Sequence, residues 1–348
     1  MGDLRRTGGS GLMRAQIAHR LGGPSVLSFD EIETPMPGPG QVLIDVRAAG
    51  VNFPDGLIVA GTYQTRPELP FIPGSEVAGV AAAVGADVTA VRVGTRVLAF
   101  TGMGGYAEQV LVAADMVFAI PDAMSYTDAG GFPVAYGTSF HALVDRADLR
   151  PGETVLVLGA SGGVGLTAVE IAKALGARVI AAASSEQKRR LCLEHGADDV
   201  IDYSAGDLQD QLRRLAPGGV DVVYDPVGGE HAQTAVRSLA WGGRYLTIGY
   251  ASGDIPKVGL NRLLVCGGSL LGVLWGAWAR RNPESNAHNM ARMFDWHAQG
   301  LLRPHIHAVH PLVNAATALE VVMERGALGK VILANTTGDL ESEKREEC

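Results

Sequence analysis

The stretch Thr154-Val-Leu-Val-Leu-Gly-Ala-Ser-Gly-Gly-Val-Gly165 decides the fold of this chain. Its first part, 155–158, is a continuous apolar run rich in β-branched residues, which predicts a strand buried on both faces. Glycines follow at 159, 162, 163 and 165, and apolar residues then recur at helical spacing until Gly176. A second apolar run, 179–182, completes a strand, turn, helix and strand, which is one right-handed βαβ unit.

The glycine turn of this unit predicts a nucleotide site. A pyrophosphate on the first turn of the helix would meet unpaired backbone N–H groups and the positive end of the helix dipole. Side chains would hold the phosphates away, so glycine is required where they touch. Because the glycines follow a predicted strand and open a predicted helix, the pattern favours dinucleotide binding over a purely structural turn.

The end of the second strand bears on which dinucleotide binds. Sites for NAD usually carry an acidic residue there, whereas this chain has Ala183-Ser184-Ser185 followed by Lys188-Arg189-Arg190. Hydroxyls and cations suit a 2′-phosphate, so the sequence favours NADPH, with Lys188 as the phosphate partner. An alternative for the same residues is that Ser184 caps the next helix together with Gln187, above a solvated basic face.

Composition limits the class of protein. The 348 residues suffice for two domains, and the net charge of −8 offers no general attraction to nucleic acid or anionic membranes. No apolar run reaches the length needed to span a bilayer. The three cysteines form neither a disulfide framework nor a zinc-finger pattern. We therefore expect a cytoplasmic protein without nucleic-acid or membrane partners.

The remaining periodicity predicts an α/β protein with two domains. Short strands between frequent turns favour an antiparallel, partly closed β-domain first, and six strands alternating with helices then favour a doubly wound parallel sheet in the order 3-2-1-4-5-6. The predicted strands are 41–48, 77–84, 96–100, 106–112, 155–158, 179–182, 200–201, 220–224, 245–248, 270–273 and 330–333. The predicted helices are 125–144, 164–175, 208–215, 232–239, 286–300 and 315–323.

These elements divide the chain into five segments. We expect a flexible N-terminal extension over 1–12, the first part of the β-domain over 13–135, and the dinucleotide-binding domain over 136–275. The chain is then predicted to return to the β-domain over 276–336 and to end in a disordered acidic tail over 337–348.

Eight further motifs occur in a fixed order around the glycine turn. They are AAGVNFPD at 48–55, GTY at 61–63, PFIPGSEVAG at 70–79, GGYAE at 104–108, PVAYGT at 133–138, DPVGG at 225–229, GYASG at 249–253 and GKVIL at 329–333. In order and spacing the chain resembles, from about 13 to 333, the quinone oxidoreductase branch (zeta-crystallin-like) of the zinc-free medium-chain dehydrogenase/reductases. Enone and acrylate reductases share most of these motifs.

The resemblance implies a GroES-like antiparallel β-domain, a parallel Rossmann domain, and NADPH in the cleft between them. It implies Asn52 and Tyr63 as catalytic residues facing the substrate. The implied cofactor-binding residues are Pro133, Tyr136 and Thr138 at the nicotinamide, Ser161, Gly162, Gly163 and Val164 at the pyrophosphate, Ser184, Lys188 and Tyr203 at the 2′-phosphate, and Gly249, Ala251, Leu274, Trp275 and Lys330 around the remaining pocket.

Zinc is the main alternative within the superfamily. Its zinc alcohol dehydrogenases carry a cysteine where this chain has Asn52 and a histidine where it has Ser75, just before Glu76. Zinc requires thiolate or imidazole ligands in a nearly closed set, so the resemblance implies no metal here. The histidine cluster at 305, 307 and 310 favours a surface or packing role over a metal site.

A metal-free site must polarise its substrate by hydrogen bonds, which favours acceptors that are already electrophilic, such as quinones and enones. The Asn52 amide, the Tyr63 hydroxyl or water would meet the developing negative oxygen. Tyr63 is a candidate general acid or only a wall of the pocket, and Asp55 is a candidate acid or a residue that fixes its loop. Trp275 and Trp278 either stack on a planar acceptor or only pack.

Three functions stay open on the sequence. The first is an NADPH-dependent quinone or enone reductase. The second is an acrylate-type or acryloyl-thioester reductase, for which Arg280, Arg281 and Arg292 could bind the phosphates of coenzyme A. The third is a non-catalytic NADPH-binding protein. A homodimer is expected, because the apolar segment 263–273 would form an edge strand that a second copy can pair with.

Overall fold

The computed structural model describes residues 11–204 and 207–335. These residues form sheets of two, six and seven strands. The predicted tail over 337–348 and all but the last two residues of the predicted extension lie outside the described residues, and the first strand begins at Leu12. In the described part of the chain, no helix combines the length and apolar character needed to cross a bilayer.

The first half of the chain forms the β-domain. Its strands are β1 (Leu12–Ala18), β2 (Leu27–Glu33), β3 (Gln41–Val51), β4 (Glu76–Val84), β5 (Arg96–Phe100), β6 (Gln109–Ala113) and β7 (Val117–Ala119). Helix α1 (Phe53–Val59) lies between β3 and β4. The predicted helix over 125–144 is divided into α2 (Tyr126–Gly130), α3 (Phe132–Phe140) and a π-helical turn (His141–Arg146), with the break at Gly131 followed by Pro133.

The middle of the chain forms the parallel sheet. Its elements are β8 (Thr154–Leu158), α4 (Gly163–Ala174), β9 (Arg178–Ala182), α5 (Glu186–Glu194), β10 (Asp199–Ile201), α6 (Leu208–Leu215), β11 (Val220–Asp225), α7 (His231–Arg237), β12 (Leu239–Thr247), α8 (Leu260–Cys266) and β13 (Ser269–Gly272). The strands lie in the order β10-β9-β8-β11-β12-β13, which confirms the predicted doubly wound order. Helices on both faces bury Val155, Leu156 and Val157 completely.

The last segment returns to the first domain through α9 (Trp275–Arg281), α10 (Pro283–Ala298), β14 (Ile306–Pro311), α11 (Ala315–Met323) and β15 (Lys330–Ala334). Strand β15 pairs antiparallel with β3, so that Val331 lies opposite Val51. The sheet order is β14-β15-β3-β4-β5-β7, with β6 also paired to β3. The start of β15 therefore lies at the junction between the two domains.

The segment 263–273 differs from the sequence prediction. Only Ser269–Gly272 forms the edge strand, and the preceding apolar residues form α8. Gly267 has φ of 60° and ends this helix in the left-handed conformation that glycine adopts without strain. The prediction was therefore wrong for 263–266.

Candidate cofactor and catalytic site

Two glycines of the turn have different roles. A Cβ on Gly165 would lie 2.8 Å from the Cα of Ala160, so glycine is required there for α4 to pack on the turn. A Cβ on Gly162 would meet only the carbonyl oxygen of Gly159, at 3.5 Å, and Gly162 has an ordinary φ of −78°. Gly162 leaves open space above a helix N-terminus that no side chain caps, which fits a bound phosphate.

The start of β15 lies against this turn. The N–H of Gly329 donates to the carbonyl oxygen of Ser161 at 2.8 Å, and Gly329 pairs with Gly162 as an isolated bridge. A Cβ on Gly163 would lie 3.2 Å from Cδ of Lys330. The structure thus brings together the turn and Lys330, which the resemblance implied as cofactor-binding residues.

After β9, helix α5 is capped by Ser185. The hydroxyl of Ser185, not of Ser184, accepts from the N–H of Lys188 at 3.3 Å, so the capping role of Ser184 with Gln187 was wrong. The side chain of Ser184 does not cap α5 and forms a hydrogen bond with Tyr203 instead.

The three cations at the start of α5 have different partners. Arg189 forms an ion pair with Asp202 at 2.6 Å, and Arg190 forms one with Glu194 at 2.9 Å. The Nζ of Lys188 instead donates to the carbonyl oxygen of Arg325 at 3.2 Å, and no described carboxylate pairs with it. Of the three, Lys188 is therefore the cation that a phosphate can bind at least cost.

Tyr203 and Arg325 lie at the same place. Burial raises the pKa of Tyr203, while a hydrogen bond with Ser184 and the charge of Arg325 act in the opposite direction. Sequence reasoning identified Tyr203 but missed Arg325, which follows α11 far along the chain. The only sequence feature that marks Arg325 is its place as a basic residue before a glycine at the end of a helix.

The catalytic candidate Asn52 belongs to a buried polar cluster with Glu76 and Lys330. The Nδ2 of Asn52 donates to Oε1 of Glu76 at 2.8 Å. The Nζ of Lys330 donates to Oδ1 of Asn52 at 2.7 Å and to Oε1 of Glu76 at 2.8 Å. All three residues are buried, with at most 7% of their surface exposed. Sequence reasoning named Lys330 as a cofactor contact and missed this cluster.

Asp55 fixes the loop that carries Asn52. Its carboxylate accepts from the backbone N–H of Asn52 at 2.9 Å, the hydroxyl of Ser75 at 2.6 Å and the hydroxyl of Tyr106 at 2.9 Å. Burial raises the pKa of Asp55 to about 6 in spite of these donors. With its oxygens occupied by protein donors, Asp55 fits the loop-fixing role rather than that of an acid.

Tyr63 differs from these residues because its hydroxyl is uncommitted. Burial, and then the charge of Asp55, raise the pKa of Tyr63, so the phenol stays protonated at neutral pH. The side chain is half-buried, and its hydroxyl has no hydrogen bond to any described residue. It is thus available to donate to a ligand.

The three residues of α3 that the resemblance implied at the nicotinamide have different surroundings. The hydroxyl of Tyr136 donates to Oε2 of Glu170 on α4 at 2.6 Å, and the ring stacks on Phe132 at 4.2 Å. The same ring lines a small cavity shared with Gly163 and Lys330. The ring of Tyr136 therefore borders the candidate site, while its hydroxyl is held in the domain core. Pro133 is buried and Thr138 is half-buried on the same helix.

Trp275 is a packing residue in the structure. Its indole is 4% exposed, lies 4.9 Å from the ring of Phe100 and donates to Oδ1 of Asn286 at 3.1 Å. Its contribution to the pocket stays a prediction, and the observed contacts favour packing. The neighbouring Leu274 is 52% exposed, and Gly249 and Ala251 are half-buried after β12. Trp278 also packs, stacked on His141 at 4.2 Å.

Of the predicted histidine cluster, one member is shown in a side-chain ring contact. His305 lies edge-on to His195 at 5.6 Å, and Nδ1 of His195 lies 2.6 Å from Oε1 of Glu170. Over residues 11–204 and 207–335, no group of three or more His, Cys, Asp or Glu side chains is placed to hold a metal ion.

Two family models match the two domains. The model described as the alcohol dehydrogenase GroES-like domain matches residues 38–122, and the zinc-binding dehydrogenase model matches residues 163–294. Among curated proteins, quinone oxidoreductase-like protein 2 of Rattus norvegicus is 38% identical over 323 residues, 92% of each chain. The quinone oxidoreductase of Homo sapiens is 34% identical over 329 residues, 93% of this chain and 98% of its own.

Solved structures agree with this architecture. The quinone oxidoreductase of Escherichia coli complexed with NADPH has a TM-score of 0.85 at 28% identity, over 93% of this chain and 100% of that one. A mycobacterial protein complexed with NADPH has a TM-score of 0.87 at 34% identity, over 92% of this chain and 100% of its own. At this coverage the match extends over both domains.

Proposed function

This chain belongs to the quinone oxidoreductase family of the medium-chain dehydrogenase/reductases, and from that membership we propose that it is an NADPH-dependent reductase of quinones or α,β-unsaturated carbonyls that works without a metal. One observation carries the proposal. The glycine turn suited to phosphate binding is joined to the start of β15 by the hydrogen bond from Gly329 to Ser161. The first residue of β15, Lys330, belongs to the polar cluster with Asn52 and Glu76. A cofactor on the turn would thus lie beside polar groups that could donate hydrogen bonds to a substrate oxygen.

The metal-free part of the proposal rests on the donor set. Asn52 and Ser75 offer only amide and hydroxyl oxygens or nitrogens, which bind zinc poorly. The Glu76 carboxylate between them accepts from the Lys330 ammonium at 2.8 Å and from the N–H of Val134 at 2.7 Å. A zinc ion at this place would have to displace a buried ammonium.

Bound at the turn, NADPH would supply the hydride and its two electrons. The protein's task is then to hold the acceptor and to meet the negative charge that develops on its oxygen. The Asn52 amide and the Tyr63 hydroxyl are the proposed donors, and a well-placed donor of this kind contributes about 3–4 kcal/mol. The proton that completes the reduction would come from the Tyr63 hydroxyl or from water.

Oxidation of NADPH by the purified protein tests this function. We expect turnover with a small quinone or a 2-alkenal, unchanged after dialysis against a chelator, and slow turnover with aliphatic alcohols and NADP⁺. Turnover only with an acryloyl thioester would favour an acrylate-type or acryloyl-thioester reductase. Binding of NADPH without any turnover would favour a non-catalytic NADPH-binding protein. The thioester alternative has weak support, because Arg280 and Arg292 lie over different rings, those of Phe100 and Phe140.

The preference for NADPH is expected to depend on Lys188. Lys188→Ala should weaken NADPH binding by about 10–100-fold, because a hydrogen bond to a charged group is worth about 1.5–3 kcal/mol. NADH binding should change less than threefold. Arg190→Ala is the matched control, since Arg190 pairs with Glu194. Fluorescence titration of both nucleotides measures the effect, and equal losses for NADPH and NADH would contradict a 2′-phosphate contact.

We also propose a homodimer formed through β13. This strand pairs on one side only, with β12, and exposed apolar side chains surround it: Trp241, Leu260, Leu264, Val265 and Leu270 are 82%, 72%, 81%, 75% and 42% exposed. An antiparallel pairing of two β13 strands across a twofold axis would satisfy the open backbone groups and cover this surface.

Light scattering tests the dimer. The wild-type chain should elute at twice its monomer mass of 36.3 kDa, and Leu264→Glu should elute as a monomer because it buries a charge in the interface. Val93→Glu is the control, since Val93 is 62% exposed outside this surface. A monomeric wild-type chain at micromolar concentration would exclude the proposal.

A further inference from the structure

We propose that Lys330 is a positioning residue whose ammonium orients and polarises the Asn52 amide toward the substrate oxygen. This inference rests on the function proposed above. It assigns to a charged side chain of the protein the polarising role that a metal ion plays in other dehydrogenases.

Lys330 acts through Asn52 because its own donors are occupied. The ammonium donates to the carbonyl oxygen of Val51 at 3.2 Å, to Oδ1 of Asn52 at 2.7 Å and to Oε1 of Glu76 at 2.8 Å. An ammonium has three N–H groups, so none remains for a substrate. At 5% exposure, Lys330 has no solvent to exchange these partners with.

The Asn52 amide, in contrast, keeps one weakly used donor. One N–H of Nδ2 donates to Glu76 at 2.8 Å, while the other has only the carbonyl oxygen of Gly50, at 3.4 Å. Amide hydrogen bonds are usually 2.7–3.2 Å long. The second N–H can therefore shift to a substrate oxygen at little cost.

The two charges fix the amide in this orientation. A rotation by 180° would turn the amide oxygen toward the Glu76 carboxylate and the amide N–H groups toward the Lys330 ammonium, and both contacts would be repulsive. The Lys330 ammonium that donates to Oδ1 also withdraws electron density from Nδ2, which makes its N–H groups stronger donors in a site of low dielectric.

The path of the Lys330 side chain places this group at the junction of the domains. Its Cδ lies 3.2 Å from the position of a Cβ on Gly163 at the start of α4, and its Cε lies 3.0 Å from that of a Cβ on Gly131. The stem thus runs between the candidate pyrophosphate turn and the helix that begins at Phe132. A Cβ at either glycine would press on this stem, which the glycines leave room for.

A set of variants separates positioning from simple structural support. Lys330→Met keeps the stem and removes the charge, but it leaves Glu76 as an uncompensated buried carboxylate, which lowers stability. The double variant Glu76→Gln/Lys330→Met removes both charges. We expect its melting temperature and its dissociation constant for NADPH to return close to those of the wild type, within about threefold for binding. Its kcat should stay about 10–30-fold low with little change in KM, because the amide is no longer polarised.

Asn52→Ala completes a double-mutant cycle. In the wild type it should lower kcat by about 100–1,000-fold, as for loss of a donor to developing charge, and in the Glu76→Gln/Lys330→Met background it should have a much smaller effect. If kcat recovers together with the melting temperature in the double variant, Lys330 is only structural and the proposal is overturned. If the wild type reduces no acceptor at all, while still binding NADPH, the proposed function fails first and this inference fails with it.

Discussion

Gly162→Asp is expected to abolish NADPH binding at concentrations that saturate the wild type, while the protein stays folded. The structure allows this separation because the new Cβ would meet only the carbonyl oxygen of Gly159, at 3.5 Å, and the φ of −78° is accessible to any residue. The new carboxylate would lie above the N-terminus of α4, where the pyrophosphate is proposed to bind.

The expected size of the effect follows from charge repulsion. Two unit charges 4 Å apart at an effective dielectric constant of 20 interact with about 4 kcal/mol, which corresponds to roughly a thousandfold in affinity. The aspartate would also take the place of the phosphate at the N–H groups of the helix. NADPH titration by fluorescence or calorimetry measures the loss, and a thermal unfolding curve of the free protein checks the fold.

Gly218→Asp is the matched control for this variant. It adds the same charge to the same domain at a glycine without a positive φ, where a Cβ would meet no atom within 4 Å. NADPH affinity within about twofold of the wild type is expected there. Equal and small effects of the two substitutions would mean that the dinucleotide does not approach the protein at this turn.

The elements that the sequence predicted best are those with a strong local period. The predicted helix over 208–215 is observed as Leu208–Leu215, where Asp207 caps the first turn by accepting from the N–H of Gln209 at 2.8 Å. The helix over 315–323 is observed as Ala315–Met323. In both, apolar residues recur on one face, so that the pattern and the fold agree.

Two of the observed helices that the sequence analysis did not predict were missed for opposite reasons. Helix α1 begins with Phe53 and Pro54 and contains Gly56, so its composition does not favour a helix. Its signal was the pairing of Asn52 with Asp55 three residues later, in which the backbone N–H of Asn52 donates to the Asp55 carboxylate. Helix α8 is apolar on its exposed side, so its sequence predicted an edge strand instead of a helix. Only Gly267 indicates where this helix ends.

The site shows a sharper limit of sequence reasoning. The glycine turn is contiguous and could be predicted with its ligand class from local rules. The cluster of Asn52, Glu76 and Lys330 joins an N-cap, the first residue of β4 and the first residue of β15. Their contact is set by the antiparallel pairing of β15 with β3, which no local pattern encodes. The resemblance named all three positions but not their hydrogen bonds.

Trp275→Ala is expected to destabilise the folded protein by about 3–5 kcal/mol, the usual range for a buried tryptophan. The indole is tightly packed, because a Cβ on Gly137 of α3 would lie only 2.6 Å from its Cζ2 atom. Its removal would open a cavity beside Phe100 and would leave Oδ1 of Asn286 without its donor. Urea unfolding of the free protein measures the free energy.

Trp275→Phe distinguishes packing from substrate contact. It keeps a ring against Phe100 and Gly137 and loses the hydrogen bond to Asn286, so a smaller loss of about 1–2 kcal/mol is expected. Because the indole is 4% exposed, KM for a planar quinone should stay within about twofold of the wild-type value. A tenfold rise in KM with unchanged stability would place the ring in the substrate pocket instead. Large destabilisation by alanine, together with unchanged KM in the phenylalanine variant, would establish that Trp275 acts through packing and not through contact with the substrate.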